Sequence, residues 1–173
     1  MRARFAICMV ALLLMFQPGC KKEHPGQTDI DLKTSVERPQ ANGVSVIAYI
    51  TEMKDYRQWP FFPNKGTLYP GKHPHGSLLV TYVSPETLIA LQNNEARLPD
   101  GTIIVKENYN LQKKLQTTTV MYRIDGYNPE NGDWFWLEYT PDQTVLKEGK
   151  AEGCINCHRA VKSNDWIFSG PVN

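Results

Sequence analysis

The 173-residue chain has almost no net charge, with 19 Lys and Arg against 18 Asp and Glu. Nucleic acid is thereby excluded as the main partner, because phosphate binding needs a basic excess. No apolar run approaches the roughly 20 residues that cross a bilayer; the run from Phe5 to Phe16 stops at twelve. No internal repeat is present. Twelve Gly and twelve Pro mark frequent turns, not a low-complexity chain. Cysteine is scarce, at four, and the four are not equivalent. What remains is an ordinary composition, 41% hydrophobic, in a chain long enough to bury a core of its own.

The first residues read as an export signal. Arg2 and Arg4 are basic, Phe5 to Phe16 is apolar, and Pro18, Gly19 and Cys20 precede Lys21 and Lys22. A small residue before cysteine resembles a bacterial lipoprotein cleavage site, with Cys20 as the acylated first mature residue and a lipid anchor to the outer membrane. Ordinary cleavage nearby is the alternative. Removing residues 1–19 discards Cys8, Arg2 and Arg4 and no acid, so 17 basic residues face 18 acidic ones. Residues 20–42 are polar and read as a flexible tether, and 43–173 as the domain. The expected setting is periplasmic.

Within the domain, apolar residues at Val46, Ile47, Ile50 and Met53 predict a short helix over Val44–Tyr56. Trp59 to Gly76 is a Pro- and aromatic-rich loop that packs. Ser77–Ser84 is strand-like. Ser84 and Pro85 then open a helix to Gln92. Pro99-Asp100-Gly101 is a turn. Thr102–Tyr109, Thr117–Asp125 and Trp134–Thr140 carry the β-branched and aromatic residues of strands, with a hairpin turn at Asn128–Asp133. Ala151–Asn164 is expected to be helical. The fold class is α+β: a mainly antiparallel, curved β-sheet with short flanking helices and a C-terminal attachment segment.

That segment reads Cys154-Ile155-Asn156-Cys157-His158. C-x-x-C-H in an exported protein is the pattern of c-type haem attachment. Two thiols three residues apart can bond the two vinyl groups of one porphyrin, and the next residue offers an imidazole to the iron. One covalent haem through Cys154 and Cys157, with His158 as proximal ligand, accounts for both thiols. A thioredoxin-like site would want a βαβ setting, which is absent. A structural zinc would want a second ligand pair, which His24, His73 and His75 do not supply as cysteines. Phe61, Phe62, Tyr69, Trp134, Trp136 and Trp166 are aromatics for a pocket wall, or plain core.

Tyr56-Arg57-Gln58-Trp59, the run Leu98–Glu107 (LPDGTIIVKE), and C-I-N-C-H followed by Asn164-Asp165-Trp166-Ile167-Phe168 together resemble the cytochrome P-460 family over about residues 45–170. The resemblance implies a mostly antiparallel β domain with one covalent haem. It implies either oxidation of a small nitrogen compound such as hydroxylamine at an open iron, or NO and CO binding of the β-type cytochrome c′ kind. It also implies a lysine bonded to a haem meso carbon, which falls on Lys106. Read by itself, Lys106 is a mid-strand lysine facing water at an edge. The distal acid of the enzymes has no clear counterpart; a gapless match lands on Asn128, with Glu130 and Asp125 as candidate carboxylates. His75 is a candidate sixth ligand or distal proton shuttle, or a loop histidine bonding its own turn. Met121 is a candidate sixth ligand or core. With two strong axial ligands the protein would be a membrane-anchored electron carrier. Expected partners are a small-molecule or gas ligand, a redox protein, the membrane through Cys20, and a second copy in a homodimer.

Overall fold

The computed structural model describes residues 38–168. The export signal, Cys20 and the tether up to residue 37 lie outside the described residues. Residues 38–42, grouped with the tether on sequence, lie against the domain. Arg38 pairs with Asp100, and the carbonyl of buried Pro39 accepts from the Tyr122 hydroxyl at 3.2 Å.

Asn42 caps the first helix, its Oδ1 accepting from Ser45 N at 2.9 Å. Helix α1 (Gly43–Ala48) runs on into a π turn (Tyr49–Met53) closed by Lys54 N on Tyr49 O at 3.0 Å. Gly43 is needed here for space: a Cβ would sit 2.6 Å from Glu148 Oε2 and 2.9 Å from Val145. The strands that follow are β1 (Tyr69–Pro70), β2 (Leu78–Val83), β3 (Ile103–Tyr109), β4 (Leu115–Arg123), β5 (Trp134–Tyr139) and β6 (Val145–Gly149). They form one antiparallel sheet in the order β1-β2-β3-β4-β5-β6. Helix α2 (Pro85–Gln92) leaves β2, and α3 (Glu152–His158) leaves β6. Register shifts at Asn108/Tyr109 and Glu138/Tyr139 are the irregularities that bend a sheet. The architecture is the expected α+β one.

Strand β6 was not expected. Val-Leu-Lys-Glu-Gly has little strand propensity and is mostly exposed, which suits an edge where charge discourages further pairing. The central strands are covered on both faces, so they read as near-continuous apolar runs. Val80, Tyr82, Val105, Val120, Phe135 and Leu137 meet Val46, Ile47 and Ile50 on one face. Val83, Ile104, Trp134 and Trp136 meet α2, Ile155 of α3, Trp166 and Ile167 on the other.

A buried ion pair ties the C-terminal segment to that second face. Arg123, fully buried at the end of β4, stacks 4.3 Å from the Trp134 ring and pairs with Asp165. Asp165 Oδ2 also accepts from Leu98 N at 2.8 Å, and its carbonyl accepts from Trp134 Nε1 at 3.2 Å. Substituting Asp165→Ala leaves a buried guanidinium without its partner and should lower unfolding free energy by about 3–5 kcal/mol in urea titrations. A loss under about 1 kcal/mol, the scale of an exposed pair, would show that the clamp is not needed.

Candidate functional site

Helix α3 sets out the attachment segment. Glu152 in its first turn suits the positive helix end, and Ile155 anchors the helix in the apolar cluster. Cys154 and Cys157 are three residues apart and His158 is four from Cys154, so all three share one helix face. The two cysteines are free thiols, Cys154 half-buried and Cys157 exposed. Burial pushes the Cys154 thiol up from its ordinary value, with Lys147 opposing.

His158 is buried, and its orientation is set by the segment beyond it. Its Nδ1–H donates to the Trp166 carbonyl at 2.7 Å. A carbonyl only accepts, so Nδ1 carries the proton and the Nε2 lone pair is left for a metal. The ring lies 4.6 Å from Trp136 and 5.1 Å from Phe168. Burial lowers its pKa, against the Trp166 bond, which raises it.

The imidazole faces a cavity of about 220 Å³ between α3 and the sheet. The sheet side is made by Lys106, Asn108, Thr119, Met121, Trp136 and Glu138, alternate residues of β3, β4 and β5. Cross-strand pairing explains the grouping: Lys106 stands opposite Thr119, and Met121 opposite both Ile104 and Trp136. Lys106 is thus on an interior strand, not at an edge. Burial first, then repulsion from Lys65, pushes its amine down to about 8. His75 enters from the loop before β2 and is pushed down to about 4, mainly by burial and next by Lys106. Both shifts are toward the neutral form, complete near neutrality for His75 and partial for Lys106, and the rest of the lining is mainly apolar apart from the Glu138–Lys147 pair. At its wall, Trp136 Nε1 is buried and without a hydrogen-bond partner.

Cys154, Cys157, His158, Lys106, His75 and Met121 therefore all line one cavity. Glu130 does not, and the expectation of it as distal acid is corrected here. It sits exposed in the 3-10 turn Pro129–Asn131 between β4 and β5. Asp125 pairs with Arg97 at 3.0 Å instead. The carboxylate that lines the cavity is Glu138, ion-paired with Lys147. Its signal in the sequence was its place two residues after Trp136, on the same strand face. Of the six candidate wall aromatics, Trp136 alone lines the cavity; Phe62, Trp134 and Trp166 pack in the apolar cluster beside it.

Two free thiols and an oriented imidazole on one helix face, beside a mainly apolar cavity, suit a porphyrin, and the orphaned Trp136 indole marks polar capacity unused by the protein itself. The fold and cavity define a haem-binding β-sheet protein. The family model for Cytochrome P460 matches residues 53–169. The chain belongs to the cytochrome P460 family, and haem binding follows from that membership. No curated protein matches the chain.

The cavity amine is testable without cofactor. In haem-free protein, the rate of amine acylation at Lys106, read by peptide mass spectrometry, should rise with a midpoint near pH 8. Exposed lysines should titrate near about 10.4. A Lys106 midpoint at the exposed value would contradict its desolvation.

Proposed function

We propose that the protein is an exported mono-haem c-type cytochrome that takes a small nitrogen compound such as hydroxylamine at the distal face of its haem and draws electrons from it. The carrying observation is Lys106, whose amine lines the same cavity as Cys154, Cys157 and His158. Export and a lipid on Cys20 rest on the sequence pattern of residues 1–20 and would place the protein in the periplasm, tethered to the outer membrane.

When bound, the haem supplies a redox-active iron and an electron-accepting ring. The chain supplies the rest. Cys154 and Cys157 would hold the macrocycle, each thiol adding across a vinyl group to form a thioether. His158, oriented through the Trp166 carbonyl, would offer its Nε2 lone pair to the iron. Lys106 presents an amine whose lowered pKa makes the unprotonated form accessible near neutrality. Joining Nζ to the porphyrin edge would exchange one N–H and one ring C–H for a C–N bond, releasing two protons and giving two electrons to an oxidant of the peroxide class during maturation. A free amine can also take a proton at Nζ, and oxidation of an N–H compound releases protons. Glu138, at the cavity wall and paired with Lys147, offers a carboxylate to pass them on. Electrons leave to a redox partner protein.

Three outcomes are expected. Denatured holoprotein should keep its haem, and Cys154→Ser with Cys157→Ser should abolish haem staining on a denaturing gel. Mass spectrometry of haem peptides should find a bond to Lys106 in addition to the two thioethers. Hydroxylamine-dependent reduction of a soluble dye should fall at least about tenfold in Lys106→Leu, within the range proton-transfer groups contribute. Haem joined through the cysteines alone, with unchanged dye reduction in the variant, would remove the oxidase reading. NO and CO binding without turnover would then describe the site.

A further inference from the structure

The geometry points to His75 as the second axial ligand of the iron, on the face opposite His158. This rests on the haem reading above and goes beyond it, because it closes the sixth position in the resting protein. The two imidazole rings are 6.4 Å apart, centroid to centroid, and perpendicular at 89°. A metal held between two imidazoles lies about 2 Å from each nitrogen, and adding each ring's own radius puts the centroids about 6–6.5 Å apart. A histidine that only hydrogen-bonded to an iron-bound molecule would stand about 2–3 Å further out, since that molecule and a hydrogen bond must fit between. The observed separation fits direct ligation.

His75 is also prepared as a ligand in the same way as His158. Its Nδ1 meets Asn108 Oδ1 at 3.2 Å. The Asn108 amide is oriented by its other end, where Nδ2 donates to the Lys106 carbonyl at 3.4 Å and to Thr117 Oγ1 at 3.2 Å. Its Oδ1 therefore faces His75 as an acceptor, Nδ1 holds the proton, and Nε2 carries the free lone pair. Both rings are thus held through Nδ1 by fixed acceptors. The loop that carries His75 is seated firmly. His75 N donates to Lys72 O at 3.0 Å, and Gly76 lies so close to β3 that a Cβ would come within 2.5 Å of Tyr109 N. Met121 is placed differently, in the strand wall between Ile104 and Trp136.

A small nitrogen compound or gas must then displace His75 to reach the iron. The resting protein is a six-coordinate electron-transfer centre with a removable ligand, and apparent ligand affinity is lowered by the fraction of time His75 is bound.

The experiment uses purified holoprotein with its haem verified by staining after denaturation. Ferric protein should show a low-spin electron paramagnetic resonance spectrum. Near-infrared magnetic circular dichroism should show the bis-imidazole charge-transfer band, distinct from imidazole–thioether and imidazole–amine ligation. His75→Ala should turn high-spin, return to low-spin on adding imidazole, and bind CO in the ferrous state on the order of tenfold more tightly. A high-spin unaltered protein, a thioether or amine band, or a His75→Ala spectrum that stays low-spin overturns the assignment while leaving the covalent haem intact. Loss of haem on denaturation of the unaltered protein overturns the haem attachment itself, and this assignment with it. The dichroism of the unaltered protein decides the matter even if His75→Ala does not fold.

Discussion

The C-terminal segment that orients His158 is held in place by Asp165 against the end of β4. Three groups converge on this carboxyl-bearing residue: the Arg123 guanidinium, the Leu98 amide and, at its backbone carbonyl, the Trp134 indole. The next residue is Trp166, whose carbonyl orients His158. One clamp thereby folds the C-terminal segment back over the sheet and sets the proton position on the proximal imidazole. A buried ion pair adds little net stability over an apolar pair, because desolvation offsets attraction. Its contribution here is geometric: Asp165 must lie against Arg123 Nη2, or the buried guanidinium, whose Nε and Nη1 already lack hydrogen-bond partners, has no counter-charge. Positive φ at Asp165 and Trp166, +51° and +68°, shows that the chain accepts an unfavoured backbone to reach it.

The two faces of the sheet treat charge in opposite ways. On the face away from the cavity, Glu107 is buried and surrounded by donors. Tyr56 Oη lies at 2.7 Å, Tyr109 Oη at 2.8 Å and the Arg57 guanidinium at 3.1 Å. Burial, reinforced by Glu107, raises the pKa of both tyrosines and keeps them as donors. On the cavity face, Lys106 has no carboxylate matched to it, and burial drives it toward the neutral amine. Adjacent residues of β3 thus meet opposite surroundings, Glu107 among donors and Lys106 in a mainly apolar cavity. The strand supplies the alternation, and the covering elements decide the chemistry on each side. A mainly apolar cavity with nitrogen ligands at its ends suits a porphyrin better than a small hydrophilic anion.

Much of this was legible from residues alone. The strands stood out because Ile103–Val105, Thr117–Met121 and Trp134–Leu137 combine β-branched and aromatic side chains, and period-two alternation already put Ile104 and Lys106 on one face. Strand β6 was hidden because its residues are chosen for an edge and lack a strand's composition. Arg38 and Pro39 read as linker because their contacts, to Asp100 and Tyr122, are with residues more than 60 positions away. Glu138 is hidden in the sequence for a related reason. A turn carboxylate and a strand carboxylate look alike in sequence, and only cross-strand register shows which one reaches the cavity.

Local chemistry was therefore the part the sequence determined by itself. Two thiols and an imidazole within five residues must share a helix face, whatever surrounds them, since helix geometry spans that distance. The long-range matters were decided by tertiary structure: that Lys106 points at those thiols from an interior strand, that Asn108 orients His75, and that His75 stands 6.4 Å from His158. His75 and His158 are 83 positions apart in the chain. Their meeting depends on how β3 pairs with its neighbours and on how Asp165 draws the tail across the sheet, and neither is encoded in the residues next to either histidine.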